Sequence, residues 1–416
     1  MNICMVLTDV DFPPDTRVEK EARSLISAGH RVFLLCDRTS DNPDNIVWNG
    51  IEIRRVAALP SLPARKVNSL IFWLFLCNLQ WKKVIRELIE EHAIGAIHVH
   101  DLPMVGTALS AAKEKRIPVI ADLHEHYPAR RRLPSTGAPR RIAEHVISPA
   151  RWQRAERRWA RRCFRVIAVV DEMKQRLVEI GVPADKIVVV ENTVDLSHFL
   201  SIPIDEGLVR RYRGEFVILY VGHFSHRRGL DLAIKAMPRI MAAIPNARLL
   251  LVGFGPITES LKRLVREMGV ESRVTFTGKV DFAKVPTYIT LSQVCILPFR
   301  STVQTEACAP NKLFDCMALG KPVVVSSCRS LRRLVEDGRL GVVFKTGDSE
   351  SLAEAVLELK NPAVRRKLGE AGRKAVLERY NWGQTSQRLL ALYASLQVAG
   401  TPTSKNTHNR QPIELP

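Results

Sequence analysis

The chain has 416 residues, 46% of them hydrophobic and 6% aromatic, and carries a formal net charge of +19. A chain of this length is too long to fold around one hydrophobic core, so we expect two domains. The composition is that of a globular protein and excludes a disordered or collagen-like chain. No uncharged apolar stretch reaches the roughly 18–20 residues that a membrane-spanning helix requires.

The first half of the chain alternates apolar runs with amphipathic segments, a pattern that predicts strands alternating with helices. Strands are predicted over residues 2–7, 31–36, 96–100, 119–122, 165–170 and 187–190. A helix is predicted over residues 17–28, ended by Gly29. Such apolar runs suit a parallel sheet buried on both faces, with functional loops at the carboxyl ends of its strands. We assign residues 1–200 to an N-terminal domain.

Polar residues follow two successive strands of this domain. Asp101 follows one strand, and Asp122, His124 and Glu125 close the next. Any one of them alone is more often structural, but two clusters at consecutive strand ends predict a cleft. A histidine there could stabilise developing charge, and the carboxylates could orient it or accept a proton.

The loop after the first strand leads into a helix at Asp15 and Arg17. Asp15 suits the N-cap position, a structural role as well supported as a catalytic one. Arg17, at the helix start, could instead meet a phosphate.

Polar, proline-containing residues 197–213 form a predicted linker, after which a second strand–helix series begins. Its strands are predicted over residues 216–221, 248–252, 274–276, 294–297 and 323–325, and its terminal helices over residues 350–360 and 364–378. Residues 214–382 are assigned to a C-terminal domain.

The most informative stretch is APNKLFDCMALGKPVVV at residues 309–325, which predicts a loop, a short helix and a buried strand. Pro310 suits the first helical position, and Gly320 suits the left-handed residue past the helix end. A helix N-terminus attracts anions, and Lys312 adds a full charge beside it. Asn311, Lys312 and Asp315 can share one face. Two interpretations stay open. The segment could bind a nucleotide diphosphate whose ribose hydroxyls contact Asp315, or it could be an ordinary capped helix with a solvated polar face.

A strand, a glycine-containing loop and a helix are predicted at residues 220–230, YVGHFSHRRGL. Gly222 would let the backbone approach a ligand, and Arg228 could hold a diphosphate through two bonds. Alone this motif is weak, because the arginine pair could belong to a solvated loop.

These segments resemble family 4 glycosyltransferases, retaining enzymes of the GT-B fold, and specifically the branch whose donor-binding helix reads Pro-Asn-Lys-Leu-Phe-(Asp/Glu). The resemblance extends over most of residues 1–385. It implies an α/β fold of two facing Rossmann-like domains with an interdomain cleft, and a crossover helix at residues 383–398 that returns to the N-terminal domain. Residues 399–416 lack apolar periodicity and are predicted to be a disordered tail.

The resemblance also implies roles for site residues. The donor-binding set would be Gly222, Arg228, Pro310, Asn311, Lys312, Leu313 and Asp315. The catalytic set would be His124, which matches a cleft histidine near the donor's reacting end, with Asp101, Asp122 and Glu125. Asp15 and Arg17 stand in a loop that carries a glycine pair in many relatives.

One position departs from the wider family, which has two glutamates separated by seven residues in its donor motif. Asp315 takes the second place, and Ala307 stands where the first would be, with Glu306 one position off. The branch with Pro-Asn-Lys generally lacks that first glutamate. Which group contacts the hydroxyls of the donor sugar, and hence the identity of the donor, stays open.

The sequence thus predicts a retaining glycosyltransferase that moves a sugar from a nucleotide-diphosphate sugar to a glycan or lipid-linked acceptor, in cell-surface polysaccharide or glycoconjugate synthesis. We expect no cofactor and no metal, because no Asp-x-Asp pair stands in a metal-ligand context and a helix dipole with cations could stabilise the leaving diphosphate. Two alternatives remain: a catalytically idle GT-B scaffold that acts as a membrane or partner adaptor, and a GT-B nucleotide-sugar epimerase.

The positive charge is concentrated between Arg130 and Arg165, where there are twelve arginines and two acidic residues. Trp152 and Trp159 lie a heptad apart among them, a composition that suits a helix on an anionic membrane surface. A solvated basic helix with inward tryptophans explains the pattern as well. Residues 69–81, the longest apolar run, could dip into a membrane interface or form a buried helix. Nucleic acid would also be attracted, but it would not need Arg228, Lys312 and Asp315, so we do not expect it as a partner.

Localisation is predicted from the N-terminus and the cysteines. The first apolar run follows no charged leader and runs straight into Asp9, so a signal peptide is not expected. The eight cysteines form no CxxC pair, which indicates reduced thiols. We expect a cytoplasmic enzyme, peripheral on the inner face of the membrane.

Overall fold

The computed structural model describes residues 1–8, 12–13, 15–38, 43–130 and 148–400. Within these residues the chain forms two α/β domains. One contains a mostly parallel sheet and the other a fully parallel sheet, as the alternating sequence pattern predicts.

The first sheet has eight strands in the order β3-β4-β2-β1-β5-β6-β7-β8, and every neighbouring pair is parallel except β3–β4. Its strands are β1 Asn2–Val6, β2 Arg31–Asp37, β3 Asn45–Trp48, β4 Ile51–Val56, β5 Ile94–His100, β6 Val119–Leu123, β7 Arg165–Ala168 and β8 Ile187–Val189. The central strands are buried on both faces because helices cover both sides of the sheet.

The second sheet has six parallel strands in the order β11-β10-β9-β12-β13-β14. Its strands are β9 Phe216–Val221, β10 Ala247–Val252, β11 Val274–Gly278, β12 Val294–Leu297, β13 Val323–Ser326 and β14 Gly341–Phe344. In both sheets the strand order reverses beside the first strand of the series, which places a crevice at the carboxyl ends of the central strands.

The α-helices connect these strands. In the first half they are α1 Thr16–Ser27, α2 Leu62–Phe75, α3 Leu79–His92, α4 Val105–Ala112, α5 Tyr127–Arg130, α6 Pro149–Arg162, α7 Asp171–Glu179, α8 Leu196–Phe199 and α9 Glu206–Arg211. In the second half they are α10 Leu230–Ala243, α11 Thr258–Glu267, α12 Val285–Leu291, α13 Asn311–Ala318, α14 Arg329–Glu336, α15 Ser349–Glu358, α16 Pro362–Glu378 and α17 Trp382–Gly400.

All the strands predicted from the sequence are present, with ends shifted by a few residues, but β3, β4 and β14 were missed. The β3–β4 hairpin turns at Asn49 and Gly50, which both have positive φ angles of 49° and 81°. Asn-Gly is the preferred sequence of such a turn, so the signal was available. The predicted linker at residues 197–213 contains most of α8 and all of α9, which Asp195 and Asp205 cap at their N-termini.

The last helix, α17, packs against the first domain. Trp382 donates its indole N–H to Ser24 Oγ at 2.9 Å, and the buried Tyr393 hydroxyl lies 2.9 Å from His98 Nδ1. The helix extends to Gly400, so the predicted disordered tail begins too early; residues 401–416 lie outside the described residues.

The tryptophans of the arginine-rich segment face inward. Trp152 and Trp159 of α6 are buried and contact each other edge to face at 6.2 Å between ring centroids. They are therefore core residues and not membrane contacts, while residues 131–147 of this segment lie outside the described residues.

The apolar run at residues 69–81 spans the end of α2 and the start of α3, and α2 contains no fully buried side chain. The exposed large apolar side chains of α2 are Leu62, Val67, Leu70, Leu74 and Phe75. None of the helices in the described ranges is long and apolar enough to cross a bilayer.

Candidate functional site

Residues from both domains line one cavity of about 170 Å³, here called the interdomain cavity. The first domain contributes His124, Glu125, Val169 and Asn192, and the second contributes Arg227, Arg228, Gln304, Thr305, Cys308, Ala309 and Pro310. The sequence-predicted catalytic histidine and the donor-side arginine therefore meet in one space.

Helix α13 presents its polar face to a neighbouring cavity. Asn311, Lys312 and Asp315 all line this second space with Gly222, as their helical spacing predicts. The rest of its wall is mainly apolar, from Val221, Phe282, Val285, Ile289 and Leu297 among others. An apolar wall beside polar groups is the usual construction of a small-molecule site.

The start of α13 differs slightly from the prediction. Pro310 has an extended backbone (φ −76°, ψ 139°) and precedes the first helical residue, Asn311, instead of occupying that position. Gly320 takes the predicted left-handed conformation past the helix end, with φ 66°. Leu313 is fully buried, so it anchors the helix in the core and does not line either cavity.

Lys312 reaches its position only because residue 222 is a glycine. The Lys312 ammonium lies 3.3 Å from the Tyr220 hydroxyl and 4.3 Å from the centroid of its ring. A Cβ atom at position 222 would stand 2.2 Å from Lys312 Nζ, and the φ angle of 130° there also requires glycine. Burial and then the charge of Arg228 lower the pKa of Lys312 to about 7.

Asp315 is buried one turn further along α13. Burial raises the pKa of its carboxyl, against the opposing charges of Lys20 and Lys312. Lys20 comes from α1 of the first domain, where its ammonium donates to the carbonyl oxygen of Thr193 at 2.5 Å and lies over the Trp382 ring. Sequence reasoning missed Lys20, because nothing in the pattern of α1 shows which of its residues meets the other domain.

Arg228 lies at the interdomain cavity with its guanidinium over the Phe299 ring, 4.3 Å from the centroid. Stacking of this kind holds the planar cation while leaving its N–H edge available for an anion. The neighbouring Arg227 donates to Gln304 Oε1 at 2.8 Å and lies 3.8 Å from the Glu125 carboxylate of the other domain.

His124 is held between two carboxylates. Its Nε2 lies 2.8 Å from Asp122 Oδ2, its Nδ1 lies 3.8 Å from Asp101 Oδ2, and its backbone N–H donates to Asp101 Oδ1. Burial disfavours the imidazolium, but the charges of Asp122 and Asp101 outweigh it and raise the pKa of His124 to about 9. At neutral pH this histidine is therefore a hydrogen-bond donor with a positive charge and not a general base.

Arg17 does not face a phosphate, contrary to the expectation for the loop after β1. Its buried guanidinium donates twice to Asp122, at 2.9 and 3.0 Å, and contacts Glu21 at 2.9 Å. The reason is electrostatic: two buried carboxylates need a cation, and Arg17 supplies it. Asp15 accepts from the backbone N–H groups of Arg17 and Val18, which is the N-cap role.

Asp122 is the centre of this buried network. Burial by itself would raise the pKa of Asp122, but Arg17 and His124 hold it well below its usual range. Glu21, His98, His100 and Asp122 are the only group in the described residues that could hold a metal ion. Because Arg17 already binds both carboxylates, the group is better explained as an ion-pair network that orients His124.

Ala307 and Glu306, at the position where the wider family has its first glutamate, do not point into the interdomain cavity. Ala307 is buried in a short turn, Thr305–Ala307. The Glu306 carboxylate accepts from the Arg329 backbone N–H at 2.8 Å and from Ser301 Oγ at 2.6 Å. Gln304, which sequence reasoning did not single out, lines the cavity instead.

Comparisons with known proteins agree with this architecture. Residues 15–198 match the family described as "Glycosyltransferase Family 4", and residues 215–361 match "Glycosyl transferases group 1". A phosphatidyl-myo-inositol mannosyltransferase of Mycobacterium leprae is 25% identical, over 76% of this chain and 78% of its own length. The Mycolicibacterium smegmatis protein of the same name is 23% identical, over 96% and 94%.

Among solved structures, a sucrose-phosphate synthase of Thermosynechococcus elongatus superposes with a TM-score of 0.77 at 20% sequence identity, covering 96% of this chain and 99% of that one. The fold is therefore GT-B, as predicted.

Asp101→Asn tests the electrostatics around His124. Asparagine has almost the same shape as aspartate, so the strained backbone at this position (φ 65°, ψ 159°) should be retained. Loss of the Asp101 charge should lower the pKa of His124 from about 9, because only Asp122 would then offset the lowering effect of burial. Histidine-selective NMR titration measures this. Asp185→Asn, at an exposed site, is the control and should leave the His124 titration unchanged; an unshifted His124 in both variants would contradict the assignment.

Proposed function

We propose that this chain, a glycosyltransferase of the family 4 type, transfers a sugar from a nucleotide-diphosphate sugar to a glycan or lipid-linked acceptor, with retention of configuration and without a metal ion. The observation that carries the proposal is the convergence, at neighbouring cavities, of the Lys312 helix and Arg228 from one domain with His124 from the other.

The donor side suits a nucleoside diphosphate. Lys312 lies in the first turn of α13, at the positive end of the helix dipole, and Arg228 lies nearby. Burial and, second, the charge of Arg228 lower the pKa of Lys312, and the negative charge of a bound diphosphate would oppose both effects. The nucleobase would occupy the apolar part of the second cavity, with the ribose hydroxyls at Asp315.

The chemistry follows from where charge develops. As the bond from the sugar C1 to the phosphate oxygen breaks, Lys312, Arg228 and the helix N-terminus would stabilise the leaving diphosphate. His124, charged at neutral pH, would donate to the sugar from the other domain. The acceptor oxygen would bond to C1 on the same face, and its proton would pass to the departing phosphate oxygen. No covalent nucleophile is needed in this route.

The acceptor class is proposed from the relatives and from the surface of α2. By their names, the two mycobacterial relatives transfer mannose to phosphatidyl-myo-inositol. The exposed apolar residues of α2 lie next to the basic helix α6, since Arg151 donates to the carbonyl oxygens of Trp73 and Leu74. Apolar side chains beside arginines suit the boundary of an anionic membrane, and we propose this surface as the one that meets a lipid-linked acceptor on the cytoplasmic face.

Gly222→Ala tests the donor site. The added methyl group would displace the Lys312 ammonium, so we expect the affinity for the preferred nucleoside diphosphate to fall about 10- to 100-fold, the range for a lost charge-assisted hydrogen bond. Calorimetric titration with UDP, GDP and ADP measures it, and release of the nucleotide from its sugar conjugate should fall in parallel.

Gly214→Ala is the matched control for that substitution. Gly214 also has a positive φ, 84°, but its added methyl group would have nothing within 4 Å. It reports the cost of backbone strain alone and should bind nucleotide as wild type does. Equal affinities in the two variants would contradict the role of Lys312. Binding without any turnover of a sugar conjugate would favour the idle scaffold, and interconversion of two nucleotide sugars would favour the epimerase.

The membrane surface is tested with the double variant Leu70→Ser and Phe75→Ser, whose side chains are 58% and 70% exposed. Removing two apolar contacts should weaken binding to vesicles of phosphatidylcholine and phosphatidylglycerol by about 10-fold or more. Sedimentation with the vesicles measures the bound fraction. Leu377→Ser with Val178→Ser removes two exposed apolar residues elsewhere and should have no effect. Equal binding by both double variants, or no binding by wild type, would contradict this surface.

A further inference from the structure

Two side-chain amides in the interdomain cavity each have a buried polar atom without a hydrogen-bond partner. They are Nε2 of Gln304, from the second domain, and Oδ1 of Asn192, from the first. Buried polar atoms nearly always have partners in folded proteins, so an unpartnered donor and an unpartnered acceptor on residues that line one cavity point to a binding surface for a polar ligand.

The orientation of the Gln304 amide is determined by Arg227. The Arg227 guanidinium donates to Gln304 Oε1 at 2.8 Å, and a guanidinium has donors only. The amide oxygen must therefore face Arg227, which leaves the N–H₂ group as the atom that a ligand would meet. A ligand atom there has to be a hydrogen-bond acceptor.

The backbone around Gln304 is held by a threonine pair. Thr305 Oγ1 accepts from the Thr302 backbone N–H at 2.8 Å, lies 2.9 Å from the Thr302 hydroxyl and donates to the carbonyl oxygen of Arg300. Gln304 is therefore presented by a fixed turn, and a fixed donor costs little conformational entropy on binding.

Resting on the proposed function, we infer that Gln304 and Asn192 recognise hydroxyl groups of the transferred sugar. Gln304 donates to one hydroxyl oxygen, and Asn192 accepts from another hydroxyl. A sugar hydroxyl is both donor and acceptor, so it satisfies either group, and two neutral amides match a neutral polyhydroxylated sugar. Gln304 thus supplies a sugar contact at a place where neither Ala307 nor Glu306 can.

The test separates sugar recognition from nucleotide recognition. Dissociation constants of UDP, GDP, UDP-glucose and GDP-mannose are measured by calorimetry for wild type, Gln304→Glu and Gln304→Met. Glutamate keeps the pairing with Arg227 but lacks the N–H donor, and methionine keeps the approximate shape without either polar atom. Both should bind the preferred nucleotide sugar about 10-fold more weakly and the matching nucleoside diphosphate within twofold of wild type.

Asn192→Leu should produce the same selective loss, whereas Gln175→Met, at an exposed position on α7, should change neither constant. Full nucleotide-sugar affinity in Gln304→Glu would overturn the inference, and so would an equal loss for the diphosphate and its sugar conjugate. Neither result would contradict the proposed function, because wild type would still bind the nucleotide. Failure of wild type to bind any of the four compounds would instead overturn the proposed function, and this inference with it.

Discussion

The contact of the half-buried Lys312 ammonium with the Tyr220 ring and hydroxyl, at the amino end of α13 near Arg228, is the interaction on which the candidate donor site depends. A buried ammonium is costly unless an anion compensates it. The structure tolerates this charge through the Tyr220 ring and hydroxyl, and it makes room for it by omitting a side chain at Gly222. Together these features suit the proposed diphosphate site.

In the first domain the buried charged groups include the carboxylates of Glu21 and Asp122. Arg17 forms ion pairs with both Asp122 and Glu21, and Asp122 also contacts His124 and helps to keep it charged. The C-terminal helix takes part, because Tyr393 contacts His98, whose ring stacks on His100. The crossover helix α17 therefore does more than connect the two domains, because it also contacts the residues that position His124.

The sequence was informative where local rules decide the structure. The approximate positions of most strands, the helix after Pro310, the left-handed Gly320 and the shared face of Lys312 and Asp315 follow from spacing and residue type. It was uninformative where a side chain's partner lies far along the chain. Arg17 could have met a phosphate until the fold placed Asp122, 105 residues away, against it. No motif marks Gln304 in the sequence, and its proposed role rests on its contact with Arg227 and on the cavity that it lines. The orientation of Trp152 was likewise open, because two tryptophans seven residues apart on a helix can face either a membrane or a protein core.

The most direct test of the nucleotide site is calorimetric binding of UDP, GDP and ADP to wild type and Lys312→Ala, each with and without EDTA. The account predicts selective binding of one nucleotide that is unchanged by EDTA and greatly weakened in the variant. Equal affinity of Lys312→Ala and wild type, or no binding of any nucleotide by a folded wild-type protein, would contradict it.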